Sequence, residues 1–175
     1  MSKKISFSLS EDSIDKAIQE LQGYIDSLQQ KTDRLREKIA EAIQWSAQDG
    51  FQSAIADDIF RGGERKTADV QVTVQEEGDV TIVIANGEDA VFIEFGAGVY
   101  HNGGVGSSPH PKGQEMGYTI GEYGKGQGKK YTWALPGSTS DDPILTHGTP
   151  AAMPMYRGVQ EAVAAMVDFA REVFG

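Results

Sequence analysis

Apolar residues recur at Ile14, Ile18, Leu21, Ile25 and Leu28, at spacings of 4, 3, 4 and 3, which places them on one stripe of a helix. Ser8 and Ser10 precede Glu11 and Asp12. Hydroxyls that can cap free N–H groups, followed by acids at the positive end of the dipole, put the helix start near residue 11. The stripe has the form of a coiled-coil seam and continues through Leu35 and Ile39, with Thr32 in the slot between. After Ile43 the apolar set runs on through Phe51, Ile55 and Ile59 in a shifted phase, which reads as two helices or one bent helix. Roughly 30 helical residues span about 45 Å, longer than a globule of this size requires. Two arrangements therefore stay open, an arm that packs on a neighbour or a helical hairpin folded on its own sheet. Arg61-Gly62-Gly63-Glu64-Arg65-Lys66 closes the helical region with glycines and basic groups suited to a helix C-terminus.

The period then changes. Val70, Val72 and Val74 alternate with polar residues, Glu76-Glu77-Gly78-Asp79 supplies a turn, and Val80, Ile82 and Ile84 alternate again. This predicts an antiparallel hairpin with one buried face. Asn86-Gly87-Glu88-Asp89 turns the chain into Ala90-Val91-Phe92-Ile93-Glu94-Phe95-Gly96-Ala97-Gly98, which fits either a buried strand or a short helix capped by Asp89 and ended by Gly96. Residues 100–130 are glycine-rich and poor in apolar side chains, with Pro109 and Pro111 close together, and predict a long exposed loop. Residues 130–135 regain aromatic, alternating character and are expected to rejoin the sheet, with a second loop over 136–150. Pro154 is placed as the first residue of a final helix, in which Val159, Val163, Met166, Ala170 and Val173 recur at 4, 3, 4 and 3. That amphipathic stripe is expected to cover the sheet. The class is α+β: an N-terminal long helix or helical hairpin, a small antiparallel sheet with a long Gly-rich loop, and a C-terminal helix packed on the sheet. We divide the chain into an N-terminal helical region, 1–66, and an α+β body, 67–175, which includes the loop 99–130, in one structural domain overall.

Composition narrows the function classes. The 175 residues carry 26 acids against 16 bases, a formal net charge of -10, which opposes wrapping nucleic acid or docking on an anionic membrane. Cysteine is absent, so disulfides, thiolate metal sites and Cys nucleophiles are excluded by counting. No apolar run has signal-peptide or membrane-spanning length, and the expectation is a soluble chain. Of the 21 glycines, 13 lie between Gly96 and Gly148, so the middle of the chain is compositionally distinct from its ends.

Tests for chemistry return little. Residues 121–130 are rich in Gly and Lys, but Tyr123 stands five before Gly128 and Lys130 stands where Ser or Thr belongs, so the phosphate-loop spacing fails. His101, His110 and His147 are the only histidines and with Glu94, Asp141 and Asp142 can be imagined as a metal site, but no two histidines have helical i, i+4 spacing. They read as solvated loop residues. Ser107, Ser108, Ser138 and Ser140 lack a nucleophile elbow. The expectation is a protein without catalytic, cofactor or metal site. Two glycine- and proline-bounded segments remain. In Glu94-Phe95-Gly96-Ala97-Gly98 an acid between Ile93 and Phe95 is followed by glycines, a pattern for a carboxylate held at a sharp turn and accepting N–H bonds, or for a solvent-facing edge Glu. Pro150-Ala151-Ala152-Met153-Pro154-Met155-Tyr156-Arg157 leads into a helix with Met and Tyr as apolar anchors, or is a stiff joint.

Taken in this order, the two segments make the chain resemble the tail-completion or head–tail joining proteins of long-tailed bacteriophages. There the first motif usually reads Val/Ile-Glu-Phe-Gly-Thr and the second is a Pro-x-x-Pro-aromatic or Pro-Met lead into the last helix. The layout matches over most of the chain. Ala97 stands where Thr is usual, and residues 62–69 lack the common Thr-Gly-x-Leu-Arg stretch. The resemblance implies motif and interface roles for Glu94, Phe95, Gly96, Gly98, Pro150, Met153, Pro154, Met155 and Tyr156. It implies a virion part assembled in the host cytoplasm as a ring, six-fold like its neighbours, against neck and tail proteins such as the connector or stopper and the tail tube. DNA would pass without specific binding, as net acidity allows. A tail terminator is the nearest alternative, and a small metal-dependent hydrolase or carbohydrate-binding protein using the Gly-rich loop is the alternative from another class.

Overall fold

The structure, a computed structural model, describes residues 5, 8, 10–57, 70–87, 89–96, 108–113, 115–116, 133–134, 141–143, 145–146 and 151–175. The segments 61–66 and 121–130, with Gly98, His101, His147 and Pro150, lie outside them. The elements in chain order are α1 (Glu11–Asp57), β1 (Gln71–Glu77), β2 (Val80–Asn86), α2 (Ala90–Phe95), β3 (Trp133–Ala134), β4 (Leu145–Thr146) and α3 (Pro154–Phe174). The class is α+β. The Ser10 carbonyl accepts from the N–H groups of Ser13 and Ile14, both at 3.1 Å, so α1 starts where the serine and acid signals place it. It is one continuous helix, neither a hairpin nor a broken pair. The phase shift after Ile43 marks a change of partner: Ala40, Ala47 and Phe51 turn inward over the second half while the backbone continues unbroken.

The chain divides into two units, Met1–Ile39 with Ala165–Gly175, and Ala40–Ala164. The second holds the core, in which Ala47 and Phe51 of α1 meet Val70, Val72, Ala90 and Ile93, with Val83, Ala85 and Met155 packed against them. Two glutamines one turn apart bind α1 to the hairpin. Gln48 Nε2 donates to the Val70 carbonyl at 3.0 Å and its Oε1 accepts from the Val72 N–H at 2.8 Å, while Gln44 Nε2 donates to the Val72 carbonyl at 2.8 Å. A side-chain amide thus does for the edge of β1 what the peptide of a third strand would do.

The hairpin forms as expected, but its register corrects one face. The two-residue turn Gly78-Asp79, with Gly78 at φ 59°, sets the pairs Val72↔Ala85 and Val74↔Val83. Even-numbered residues of β1 therefore share a face with odd-numbered residues of β2. Val83 and Ala85 join the valines on the core side, and Ile82 and Ile84 lie on the opposite face, opposite Gln75 and Thr73. Residues 90–95 resolve as a short helix ended by Gly96 at φ 77°. Trp133 and Ala134 do not rejoin this sheet; they pair with Leu145 and Thr146 in a separate two-stranded ribbon, so the expected loop 136–150 contains a strand.

The last helix begins at Pro154 as predicted and buries a different face. Pro154, Gly158 and Ala162 are buried, whereas Val159, Val163, Met166 and Val167 are exposed. It rests on α1, which takes the place on the sheet expected for α3. A Cβ at Gly158 would stand 3.1 Å from the Ile43 carbonyl oxygen and 3.6 Å from Ala47 Cβ, and one at Gly50 would stand 2.8 Å from Pro154 Cβ. Contact this close selects the small-residue face over the valine face. Within the first unit, Lys38 Nζ lies 2.5 Å from the Glu172 carboxylate and 5.8 Å from the Phe169 ring centroid, and Lys31 Nζ lies 5.8 Å from that of Phe174.

Alanine is the better helix former by about 1 kcal/mol, yet Gly158→Ala and Gly50→Ala are expected to destabilise by about 1–3 kcal/mol because the neighbour is backbone or a fixed proline ring. Gly23→Ala, with nothing within 4 Å, is expected to stabilise. Urea unfolding of the three variants reads the opposite signs directly. The hydrogen bond from Lys38, then its charge, hold the Glu172 carboxyl below the usual carboxylate range. The pair therefore stabilises the fold above the unfolded carboxylate range, and this contribution is lost as pH falls through the folded value. It is exposed and screened by salt. An NMR titration should find Glu172 depressed in low salt and restored by Lys38→Ala.

Candidate functional site

Glu94 faces inward from the short helix α2 and is 6% exposed. Its Oε2 accepts from the Met155 N–H at 2.8 Å, and its Oε1 accepts from the Tyr156 N–H at 2.9 Å and from His110 Nε2 at 3.1 Å. Met155 and Tyr156 are the second and third residues of α3, and their N–H groups are among those a helix start leaves without an intrahelical acceptor. A side-chain oxygen at the N-cap usually fills that need. Here the N-cap is Met153, whose carbonyl takes the Arg157 N–H at 2.9 Å but whose side chain has no oxygen to offer, and Pro154 has no N–H. Glu94, some 60 residues away in sequence, is the cap. Its charge also meets the positive end of the α3 dipole.

The rest of the joint builds outward from this carboxylate. The Ala152 N–H donates to the Ile93 carbonyl at 2.8 Å, fixing the chain just before Met153, which is held at φ 57°. A side-chain-bearing residue in that region costs about 1–3 kcal/mol and persists only where neighbours over-determine it; the Ile93 bond before it and the Glu94 bonds after it do so. On the other side, Ser108 Oγ donates to the Phe95 carbonyl and accepts from the His110 N–H at 3.1 Å. The Lys112 N–H donates to His110 Nδ1 at 3.0 Å. Nδ1 is therefore the acceptor nitrogen and Nε2 carries the proton given to Glu94. The imidazole sits between two rings, Phe95 at 4.4 Å and Tyr156 at 5.4 Å between centroids. The turn closes with Gly113 N–H on the His110 carbonyl at 2.8 Å, where a Cβ would stand 2.7 Å from Ser108 Cβ.

The structure thus joins the two segments that the sequence singles out separately. Glu94, Phe95, Met155 and Tyr156 meet at one point, Gly96 ends α2 beside it, and Met153 and the fully buried Pro154 form the lead into α3. Gly98 and Pro150 are outside the described residues. Two side chains of the joint were not in that set. His110, read as a solvated loop histidine, is 7% exposed, as is Ser108, so these two side chains and Gly113 depart from the expected exposed loop, while Pro109, Pro111 and Lys112 are exposed. The available signal was Ser108-Pro109-His110-Pro111-Lys112-Gly113, a stretch stiffened by two prolines and ended by the glycine that the turn requires. It does not name its partner 16 residues upstream.

In this cluster, both imidazole nitrogens, both Glu94 oxygens and the Ser108 hydroxyl are committed to internal bonds, and Ser108 addresses a carbonyl instead of the imidazole. The arrangement fixes positions; using His110 as a base or Ser108 as a nucleophile would first break a buried bond. Among the described residues no group of three or more His, Asp or Glu side chains is placed to hold a metal ion, and no described helix is long and apolar enough to cross a membrane. No protein-family profile, curated protein or solved structure matches the chain.

Three donors aimed at two oxygens leave no place for an amide nitrogen. Glu94→Gln is expected to cost about 2–4 kcal/mol despite its near-identical shape. In a double-mutant cycle in chemical denaturation that pairs Glu94→Ala with His110→Phe, the two losses should fall short of additive, because both remove the same bond. Full additivity would show that the imidazole and the carboxylate act separately.

Proposed function

We propose that this chain is a structural, non-enzymatic virion component of a tailed bacteriophage, a tail-completion or head–tail joining protein that assembles as a ring at the head-proximal end of the tail. The carrying observation is that the two motifs bearing the resemblance form a single buried joint whose polar atoms are spent on holding α2, the 108–113 turn and the start of α3 together. A motif used in this way serves shape, as a part that must fit its neighbours requires.

Two further features support the reading. Large apolar side chains stand open on the helices, with Trp45 75% exposed on α1 and Val163 and Val167 more than half exposed on α3, surfaces that association would cover. The net charge of -10 suits a subunit beside which DNA slides without sticking, since like charge suppresses phosphate binding. The partners in this reading are further copies of the chain and the adjoining neck and tail proteins.

The test is electron microscopy of native tails with and without the purified protein, followed by labelling of the bound copies. Rings or extra density at the head-proximal end are expected. A chain that stays monomeric and is missing from purified virions overturns the assignment.

A further inference from the structure

The first half of α1 carries an apolar seam whose large side chains stay exposed. Ile14, Ile18, Leu21, Ile25 and Leu28 are between 37% and 57% exposed, although they continue the same 4, 3 spacing as the half-buried Leu35 and Ile39. The end of α3 accounts for the difference. Within the first unit its side chains Phe169, Glu172 and Phe174 reach Lys38 and Lys31, so α1 has a companion from residue 31 onward. The seam before it is open for four turns.

We propose that residues 14–28 of α1 form a parallel, in-register, two-stranded coiled coil with the same residues of a second copy of this chain. The seam's own chemistry names the occupant. Counting heptads along it, Ile18 and Ile25 take the a positions and Leu21 and Leu28, with Ile14, the d positions. A β-branched residue at a with leucine at d is the combination that favours two parallel strands over three or four. The flanks permit a like partner. In this register Ala17, itself buried within the single chain, would flank Gln22 of the second copy, and the exposed Tyr24 would face Gln29. Neither pair sets charge against charge, although the chain carries -10 overall. Of the three acids of this stretch, Glu20 and Asp26 take outer positions, with Gln22 Nε2 donating to Asp26 at 3.1 Å along the helix, and Asp15, at an e position, would face the uncharged Ser10 of the second copy. A copy would cover on the order of 1,000 Å² in total, at the lower edge of a specific interface, so the association is weak and depends on concentration. It concerns the free chain and does not rest on the virion reading.

The full-length chain tests this directly, because it has no cysteine of its own. Sedimentation of the unmodified protein should show monomer passing to dimer as concentration rises through the micromolar range. Ile18→Asp/Ile25→Asp should remain monomeric, with the same unfolding midpoint as the unmodified protein at dilutions where both are monomers, since both side chains are already exposed. Leu28→Cys should form a disulfide-linked dimer under mild oxidation, because only a parallel in-register pair brings residue 28 against itself within disulfide reach. Gln30→Cys, on the outer face, should not. A monomer at every concentration, a dimer that survives the double aspartate variant, or a dimer in which Leu28→Cys fails to link would each overturn the proposal.

Discussion

A helix that starts on Met-Pro has a cost that something else in the molecule must offset. Met153 offers no capping oxygen and Pro154 no N–H, so the Met155 and Tyr156 donors need an acceptor from elsewhere, and Glu94 is that acceptor. The dependence runs both ways. A carboxylate taken out of water requires several donors, and Glu94 finds them only because α3 begins where it does and because the 108–113 turn brings His110 Nε2 to the same oxygen. Gly96 must stop α2 directly after Phe95, and Met153 must accept a positive φ, for the donors and acceptor to align. The core around Phe51 supplies cohesion, while this carboxylate fixes which parts of the chain meet and at what angle.

Much of this fold was legible from periodicity and breakers. The serines and acids before residue 11 mark the start of α1, the Val alternation and Gly78 mark the hairpin, and Pro154 marks the start of α3. What could not be read is what depends on pairing. The sum rule imposed by a two-residue turn puts Val83 and Ala85 on the core side, whereas β2 read alone offers Ile82 and Ile84 equally well, because it is apolar on both faces. The phase change after Ile43 is ambiguous for a similar reason: a helix that changes partner and a helix that breaks leave the same trace in sequence.

The site divides in the same way. Its backbone-determined members, Glu94 among glycines and the proline-bounded lead into α3, stand out locally. Its partners do not: His110 looks like any loop histidine until an acceptor 16 residues upstream is placed beside its ring. The face chosen by α3 is a second instance. Hydrophobic patterning favours Val159, Val163 and Met166, but Gly158 lets two helix backbones approach within contact of the Ile43 carbonyl, and dispersion over many close atoms outweighs the larger apolar surface left open.

The amide contacts of Gln44 and Gln48 bear on how the chain reaches this state. An isolated two-stranded hairpin is at best marginal in water, and among the described residues β1 has one strand beside it. During synthesis the N-terminal segment leaves the ribosome first, so the helix carrying both glutamines is available before Val70 and Val72 emerge. The hairpin can then close against a waiting template, at contact separations of 22–28 residues, short enough for fast search. A nascent strand captured at once by its own chain spends little time as a docking edge for another, which guards against fibrous misassembly in a protein that carries this much open apolar surface.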